Sequence, residues 1–191
     1  SNTILLESPL TDLETVAKNC KDSCVMIYAY KDNKVIQGSG WVYNGYIVTA
    51  KHVVNEANKV DIFLDDSLYS VNGIVHFVDS ELDVAVIKAN VGLPSVILGD
   101  SDELTEGEKL VSITSPAGVQ NVIDECVYSG IAYFGEGSYI TISESNMNGG
   151  SSGGAIFNLN CELIAMNNSG NDGGHHAISV NEIKPILQNL K

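Results

Sequence analysis

The chain has 191 residues, 44% hydrophobic and 18% charged, a size that fits one domain or two small halves sharing a cleft. Its net charge is −14 and it contains no arginine, so phosphate backbones and anionic lipid would repel it, and no nucleic acid is expected among its partners. No apolar run approaches the ~18 residues that span a bilayer, so no membrane segment is expected within the chain.

The predicted elements follow in chain order. Thr11 and Glu14 form a capping box for a short N-terminal helix through "DLETVAKNC". "CVMIYAY" from Cys24 reads as a strand. Asn44-Gly45 lies between "VIQGSGWVY" and "YIVTA" and predicts a tight hairpin, since both central residues of that turn need positive φ. Short strands then recur between turns: "KVDIFL", "YSVNGIVHFV", "DVAVIKA", "KLVSIT", "VYSGIAYF", "SYITIS", "GAIFN", "ELIAMNN" and "HAISV". Many modest strands with little helix between them predict an all-β antiparallel sandwich or barrel. The polar "LGDSDELTEG" connects two halves. In "NEIKPILQNLK", Ile183, Ile186, Leu187 and Leu190 recur at helical spacing. Asn181 is the expected cap of this C-terminal helix, leaving Pro185 in or near the first turn, where proline costs least.

The first residues, from Ser1-Asn2, carry no charged-then-apolar leader, as expected of a trimmed chain. The four cysteines, Cys20, Cys24, Cys126 and Cys161, match no zinc or redox spacing. Their even number allows disulfides, and buried free thiols fit equally well. The oxygen-rich stretches "DSELD" and "NDGG" complete no calcium loop, so no metal site is expected.

Hydrolysis by a serine needs a neighbouring base, an acid that orients the base, and fixed donors for the oxyanion. Three local signals supply those parts. His52 follows the strand "YIVTA" at a small-residue turn, Asp83 stands at the mouth of the apolar strand "DVAVIKA", and "NGGSSGGA" surrounds Ser151 and Ser152. Taken singly, the bland readings are a structural histidine, a turn aspartate and a linker. The glycine-serine stretch is short, however, and flanked by strands, which suits a loop whose glycines let a substrate approach closely.

Together, "GSGWVYNGYIVTAKHVV", "DVAVIK", "LGDSDELTEGEKLVSITSPAG", "MNGGSSGGAIFNLNCELIAMN" and "HAISVNEIKPIL" resemble the trypsin-like serine proteases. They are most similar to the HtrA (DegP-like) protease domain, without a PDZ domain, over about residues 10–190. The family's T-A-x-H, D-x-A-V and G-N-S-G-G-A motifs correspond to Thr49–His52, Asp83–Val86 and Gly150–Ala155, with Ser151 in place of the usual asparagine. The resemblance implies two six-stranded antiparallel β-barrels, residues 1–98 with His52 and Asp83, and residues 99–191 with Ser152. It implies a serine endopeptidase in which Ser152 is the nucleophile, His52 the general base and then acid, and Asp83 the orienter, with the backbone N–H groups of Gly150 and Ser152 as oxyanion hole. A silent protease-fold binding or scaffolding module is the alternative. The uncharged Ser151 has no carboxylate to pair with a freed N-terminus, so activation by N-terminal cleavage is not expected.

For the substrate pocket the resemblance places Asn146 near the base, Asn167, Asn168, Ser169 and Gly170 on one wall, and His176 and Ala177 on the other. With no carboxylate at the base, cleavage after Lys or Arg is not expected. Small aliphatic side chains suit such pockets, while Asn167 with the pair His175 and His176 would suit an acidic one; both readings stand. The family also implies a polypeptide substrate, no cofactor, an extracytoplasmic location, and an assembly state that allows oligomers.

Overall fold

The structure is a computed structural model that describes residues 8–64, 67–134, 137–143, 151–169 and 175–190. Helix α1 (Asp12–Cys20) begins where the sequence predicts. Thr11 Oγ1 accepts from the Glu14 N–H at 3.2 Å and donates to the Glu14 carboxylate at 3.0 Å, so the acid returns to the cap hydroxyl rather than to the cap backbone. Val16 and Cys20 are the buried residues of its inner face.

The first barrel comprises β1 (Cys24–Lys31), β2 (Lys34–Tyr43), β3 (Tyr46–Thr49), β4 (Lys59–Phe63), β5 (Ser70–Val78) and β6 (Ala85–Lys88), closed in the order β1-β2-β3-β6-β5-β4. The Asn44-Gly45 hairpin forms as expected, with φ of 46° and 83° and Tyr43 opposite Tyr46. A helical turn, α2 (Lys51–Val54), follows β3 where the sequence suggested only a small-residue turn. Val53 and Val54 account for it: both are buried in the barrel core with Ile27, Ile47, Ile62 and Ile87. At about 1.5–3 kcal/mol per buried aliphatic side chain, that anchorage outweighs the cost of nucleating so short a helix.

The second barrel contains β8 (Lys109–Thr114), β9 (Val122–Phe134), β10 (Gly137–Ser143), β11 (Ala155–Phe157), β12 (Glu162–Ser169) and β13 (His175–Ser179). Its order is β11-β8-β9-β10-β13-β12, and the β11–β12 pairing closes the ring. A short strand, β7 (Ile97–Leu98), joins β12 in parallel. The two antiparallel barrels, with a helix near each end of the described chain, are the expected architecture. Strand β9 starts at Val122 rather than at Val127, because its first residues pair along the whole of β8.

Helix α3 (Val180–Gln188) departs from expectation at its start. Ser179 occupies the cap position, and Asn181 lies inside the helix. The chain turns straight from β13 into the helix because Val180 is fully buried between the barrels. Asn181 instead ties the helix to the connecting segment: its Nδ2 donates to Asp100 at 2.8 Å and its Oδ1 accepts from the Ser101 N–H at 3.3 Å. Pro185 consequently sits inside the helix, past the first turn, where it removes one backbone donor.

Between the barrels, Trp41, Val48, Phe157, Met166, Ile183 and Leu187 form a shared core. A polar seam continues from it. The Ser115 N–H donates to Ser39 Oγ at 2.8 Å, Gln37 Nε2 donates to the Ser115 carbonyl, and Asn121 Nδ2 donates to the Cys24 carbonyl at 3.2 Å. This seam fixes one barrel edge against the other and sets the spacing of groups that project across it.

Candidate active site

His52 rides on α2 at the edge of the first barrel. The buried Val53 and Val54 point into the core, which leaves the His52 side chain half exposed on the opposite side. Asp83 lies in the turn before β6. Asp79, not Asp83, shapes that turn, accepting the Glu81 and Leu82 N–H groups at 3.0 and 2.7 Å. The Asp83 carboxylate is free to face His52. Its Oδ2 is 2.6 Å from His52 Nδ1, and its Oδ1 accepts the His52 backbone N–H at 2.8 Å. Both carboxylate oxygens therefore hold the same residue, fixing ring and backbone together.

Ser152 enters from the second barrel, just ahead of β11. The Ser39 N–H on β2 donates to the Ser152 carbonyl at 2.9 Å, so the serine loop is bonded directly to the first barrel. The glycines after Ser152 follow from that contact. Gly153 has φ of +88°, and a Cβ there would lie 2.2 Å from the Ser39 carbonyl and 2.4 Å from Thr49 Oγ1. A Cβ on Gly154 would meet Thr114 Cγ2 at 2.4 Å. The stretch is no linker: its backbone is clamped on both sides. Ser151 is buried, and Thr114 Oγ1 donates to its hydroxyl at 3.3 Å, so its polar group is satisfied within the fold.

Asn168 connects the two sides. Its Nδ2 donates at 2.6 Å to Asp83 Oδ2, the oxygen that faces His52. Its carbonyl accepts the Ser152 hydroxyl at 3.2 Å. The ladder between β12 and β13 shifts register between Asn167 and Ser169, and this irregularity releases Asn168 from pairing. The sequence reading placed Asn168 on the pocket wall and missed its bond to Asp83; no local motif signals it.

Of the other pocket residues, Asn146 and Gly170 lie outside the described residues, as does Gly150 of the expected oxyanion hole. The Asn167 backbone clasps the serine loop, its carbonyl accepting the Gly153 N–H at 2.7 Å and its N–H donating to Gly154 at 2.8 Å. Its side-chain Oδ1 is buried and accepts no hydrogen bond from a described residue. His176 stands opposite Thr141 on β10 and Ser169 on β12. Ala177, opposite Asn167, is fully buried in the second-barrel core.

The pair of charges is self-consistent. The hydrogen bond that the His52 ring donates to Asp83 raises the imidazole above its ordinary value; burial opposes this, and the Asp83 charge adds to it. Burial pushes the Asp83 carboxyl up, but the bonds and charge of His52, helped by Lys51, outweigh it and hold the carboxyl below its usual range. Among the described residues no group of three or more His, Cys, Asp or Glu is placed to hold a metal, and no helix is long and apolar enough to cross a membrane.

Residues 38–166 match the trypsin-like peptidase domain family. The chain is 33% identical over 153 residues to serine protease HTRA1A of Danio rerio, covering 74% of this chain and 32% of that protein. It is 30% identical over 169 residues to the periplasmic pH-dependent serine endoprotease DegQ of Escherichia coli, covering 80% of this chain and 37% of the relative. The chain thus spans about a third of the length of these curated relatives. In fold it is similar to an HtrA-type protease, AlgW S227A with tripeptide, with a TM-score of 0.83 and 24% identity over 92% of this chain and 62% of that one. It is likewise similar to the Rv3671c protease of M. tuberculosis in its active form, with a TM-score of 0.82 and 19% identity over 91% and 82%. The match to the family model spans most of both barrels, and the chain belongs to the trypsin-like peptidase domain family.

Proposed function

We propose that the chain is a serine endopeptidase of the HtrA type, with Ser152 as nucleophile, His52 as base and Asp83 as orienter. The observation that carries this is the double grip of Asp83 on the His52 ring and backbone, on a barrel edge bonded directly to the Ser152 loop. In this reading the Ser152 hydroxyl turns from the Asn168 carbonyl to His52 Nε2 and gives up its proton as Oγ attacks a peptide carbonyl. Asp83 holds the Nδ1–H tautomer and stabilises the imidazolium. His52 then returns the proton to the leaving amine, and water hydrolyses the acyl-enzyme by the same route. The N–H groups of Gly150 and Ser152 serve as oxyanion donors, each worth on the order of 3 kcal/mol in the barrier. Every reacting group comes from the chain, so the reaction draws on no cofactor.

Residues 1–98 and 99–191 act as the two halves of one protease unit, with β7 crossing to the second sheet at their junction. The substrate is a polypeptide, and the pocket is built from Asn146, Asn167, Asn168, Ser169, Gly170 and His176, with Ala177 packed in the core behind them. Several relatives bear periplasmic names, which supports an extracytoplasmic setting. A second reading, a protease-fold binding module, is favoured by one observation: the Ser152 hydroxyl rests on the Asn168 carbonyl rather than on His52. Peptide-library digestion followed by mass spectrometry separates the two. Cleavage by the wild type that disappears in Ser152→Ala supports the endopeptidase. Library binding without cleavage supports the module.

A further inference from the structure

Three of the four cysteines gather where α1 meets the second barrel, and none has a part in the chemistry above. Cys20 is the last residue of α1, Cys24 the first of β1, and Cys161 sits in the turn between β11 and β12. Cys20 and Cys161 line one cavity of about 360 Å³ with Asn19, Val96, Phe157 and Asn160. The Cys20 thiol donates to the Cys161 carbonyl at 3.8 Å, which sets the two residues side by side. Asn19 Nδ2 donates to Cys161 Sγ at 3.6 Å, turning that sulfur toward α1.

The backbone makes Cys161 an unusual choice for its position. Its φ is +64°, in the left-handed region that favours glycine or asparagine. The turn is otherwise held by Asn158, whose Oδ1 accepts the Asn160 and Glu162 N–H groups at 3.0 Å each. Local conformation therefore gives no reason for a cysteine at this point, whereas a sulfur facing Cys20 does.

We propose that Cys20 and Cys161 form a cystine that staples α1 to the β11–β12 hairpin, the two strands that carry the Ser152 loop and Asn168. The oxidant is a low-molecular-weight disulfide of the glutathione class. Cys161, the more exposed of the pair, loses its proton and attacks that disulfide; the small S–S bond breaks and one thiolate leaves and is protonated. Cys20 then loses its proton and attacks Cys161 Sγ, expelling the second small thiolate, which is protonated in turn. Two protein thiols are oxidised and one small disulfide is reduced to two thiols.

The surroundings make this a lasting staple rather than a rapid sensor. Burial, and next the Cys161 thiol, push the Cys20 thiol up to about 12. Such a thiol is slow to attack and a poor leaving group, so the bond forms slowly and resists reduction by attack on Cys161 Sγ, which would have to expel the Cys20 thiolate. The partners lie 141 positions apart in the chain, and closing so long a loop strongly restricts the unfolded state. Cys24 is buried at 2% exposed whereas Cys161 is partly exposed, so a small disulfide reaches Cys161 first, and Cys20 is then the thiol beside it.

The test uses the whole chain, reduced and then incubated in a glutathione redox buffer. Free thiols are alkylated and peptides mapped by mass spectrometry, and the melting temperature is measured in parallel. The expected result is a Cys20–Cys161 crosslinked peptide, Cys24 and Cys126 alkylated, and a rise in Tm on the order of 10 °C. Cys161→Asn, which suits the left-handed turn, should abolish both the crosslink and the Tm shift, and Cys126→Ser should leave the crosslink intact. Four alkylated cysteines after oxidation, a Cys20–Cys24 crosslink, or glutathione adducts in place of a crosslink would each overturn the proposal. None of these readouts depends on proteolysis.

Discussion

Asn168 and Asp83 are joined by a 2.6 Å hydrogen bond, and the oxygen that accepts it also faces the His52 ring at 2.6 Å. The bond fixes the carboxylate from the second barrel while His52 engages it from the first. Asn168→Ala removes this support and leaves the Asn168 carbonyl in place. Its kcat should fall about tenfold, ~1.4 kcal/mol in the barrier, with KM little changed. Asn168→Asp should fall further, because a second carboxylate would repel Asp83. Steady-state kinetics on one peptide substrate checks both; a loss confined to KM would assign Asn168 to substrate binding instead.

The pH dependence follows from the direction of two shifts. His52 is raised, chiefly by the Asp83 hydrogen bond, and only its neutral form acts as base. Activity should therefore rise through a limb lying above the ordinary histidine value of about 6.5. In Asp83→Asn that limb should move down while kcat falls by about 10⁴. For stability the signs are opposite for the two groups. The His52 contribution is fully present below the ordinary histidine pKa and is lost as pH rises through the raised one. The Asp83 contribution is present above the ordinary aspartate pKa and is lost as pH falls through its lowered one. Profiles of kcat/KM and of Tm against pH check the two statements separately.

Gly153 is a packing requirement as well as a backbone one. Gly153→Ala would place a methyl 2.2 Å from the Ser39 carbonyl at a φ of +88°. Relieving that clash means separating the serine loop from the first barrel, at a cost of about 3 kcal/mol or more. Trp41, the one tryptophan of the chain, is fully buried between the barrels and reports on the loss through its fluorescence in a urea titration. An unchanged midpoint would show that the loop repacks freely.

Much of this was legible in the sequence, for reasons that differ by element. The Asn44-Gly45 turn and the Thr11 cap are local, and each forms at the expected residues. The two barrels were legible because short strands recur between turns and the motifs around His52, Asp83 and Ser152 resemble one family. What escaped depends on long-range packing. Helix α2 exists because Val53 and Val54 reach a core built by distant strands. Asn181 serves the Asp100–Ser101 segment rather than a helix start. The bond from Asn168 to Asp83 spans 85 positions and depends on an irregularity between β12 and β13.

The pocket prediction is a preference for small aliphatic side chains before the cleaved bond. A peptide library should show Val over Glu by tenfold or more, ~1.4 kcal/mol. The reverse preference by the same factor would assign Asn167, with His175 and His176, to recognition of an acidic side chain.

The central claim is an activated Ser152, and fluorophosphonate labelling read by intact mass tests it most directly. The account predicts one adduct on the wild type and none on Ser152→Ala or His52→Ala. A folded wild type that takes up no label would contradict it, and the Ser152 hydroxyl would then be held at rest on Asn168 in a binding module.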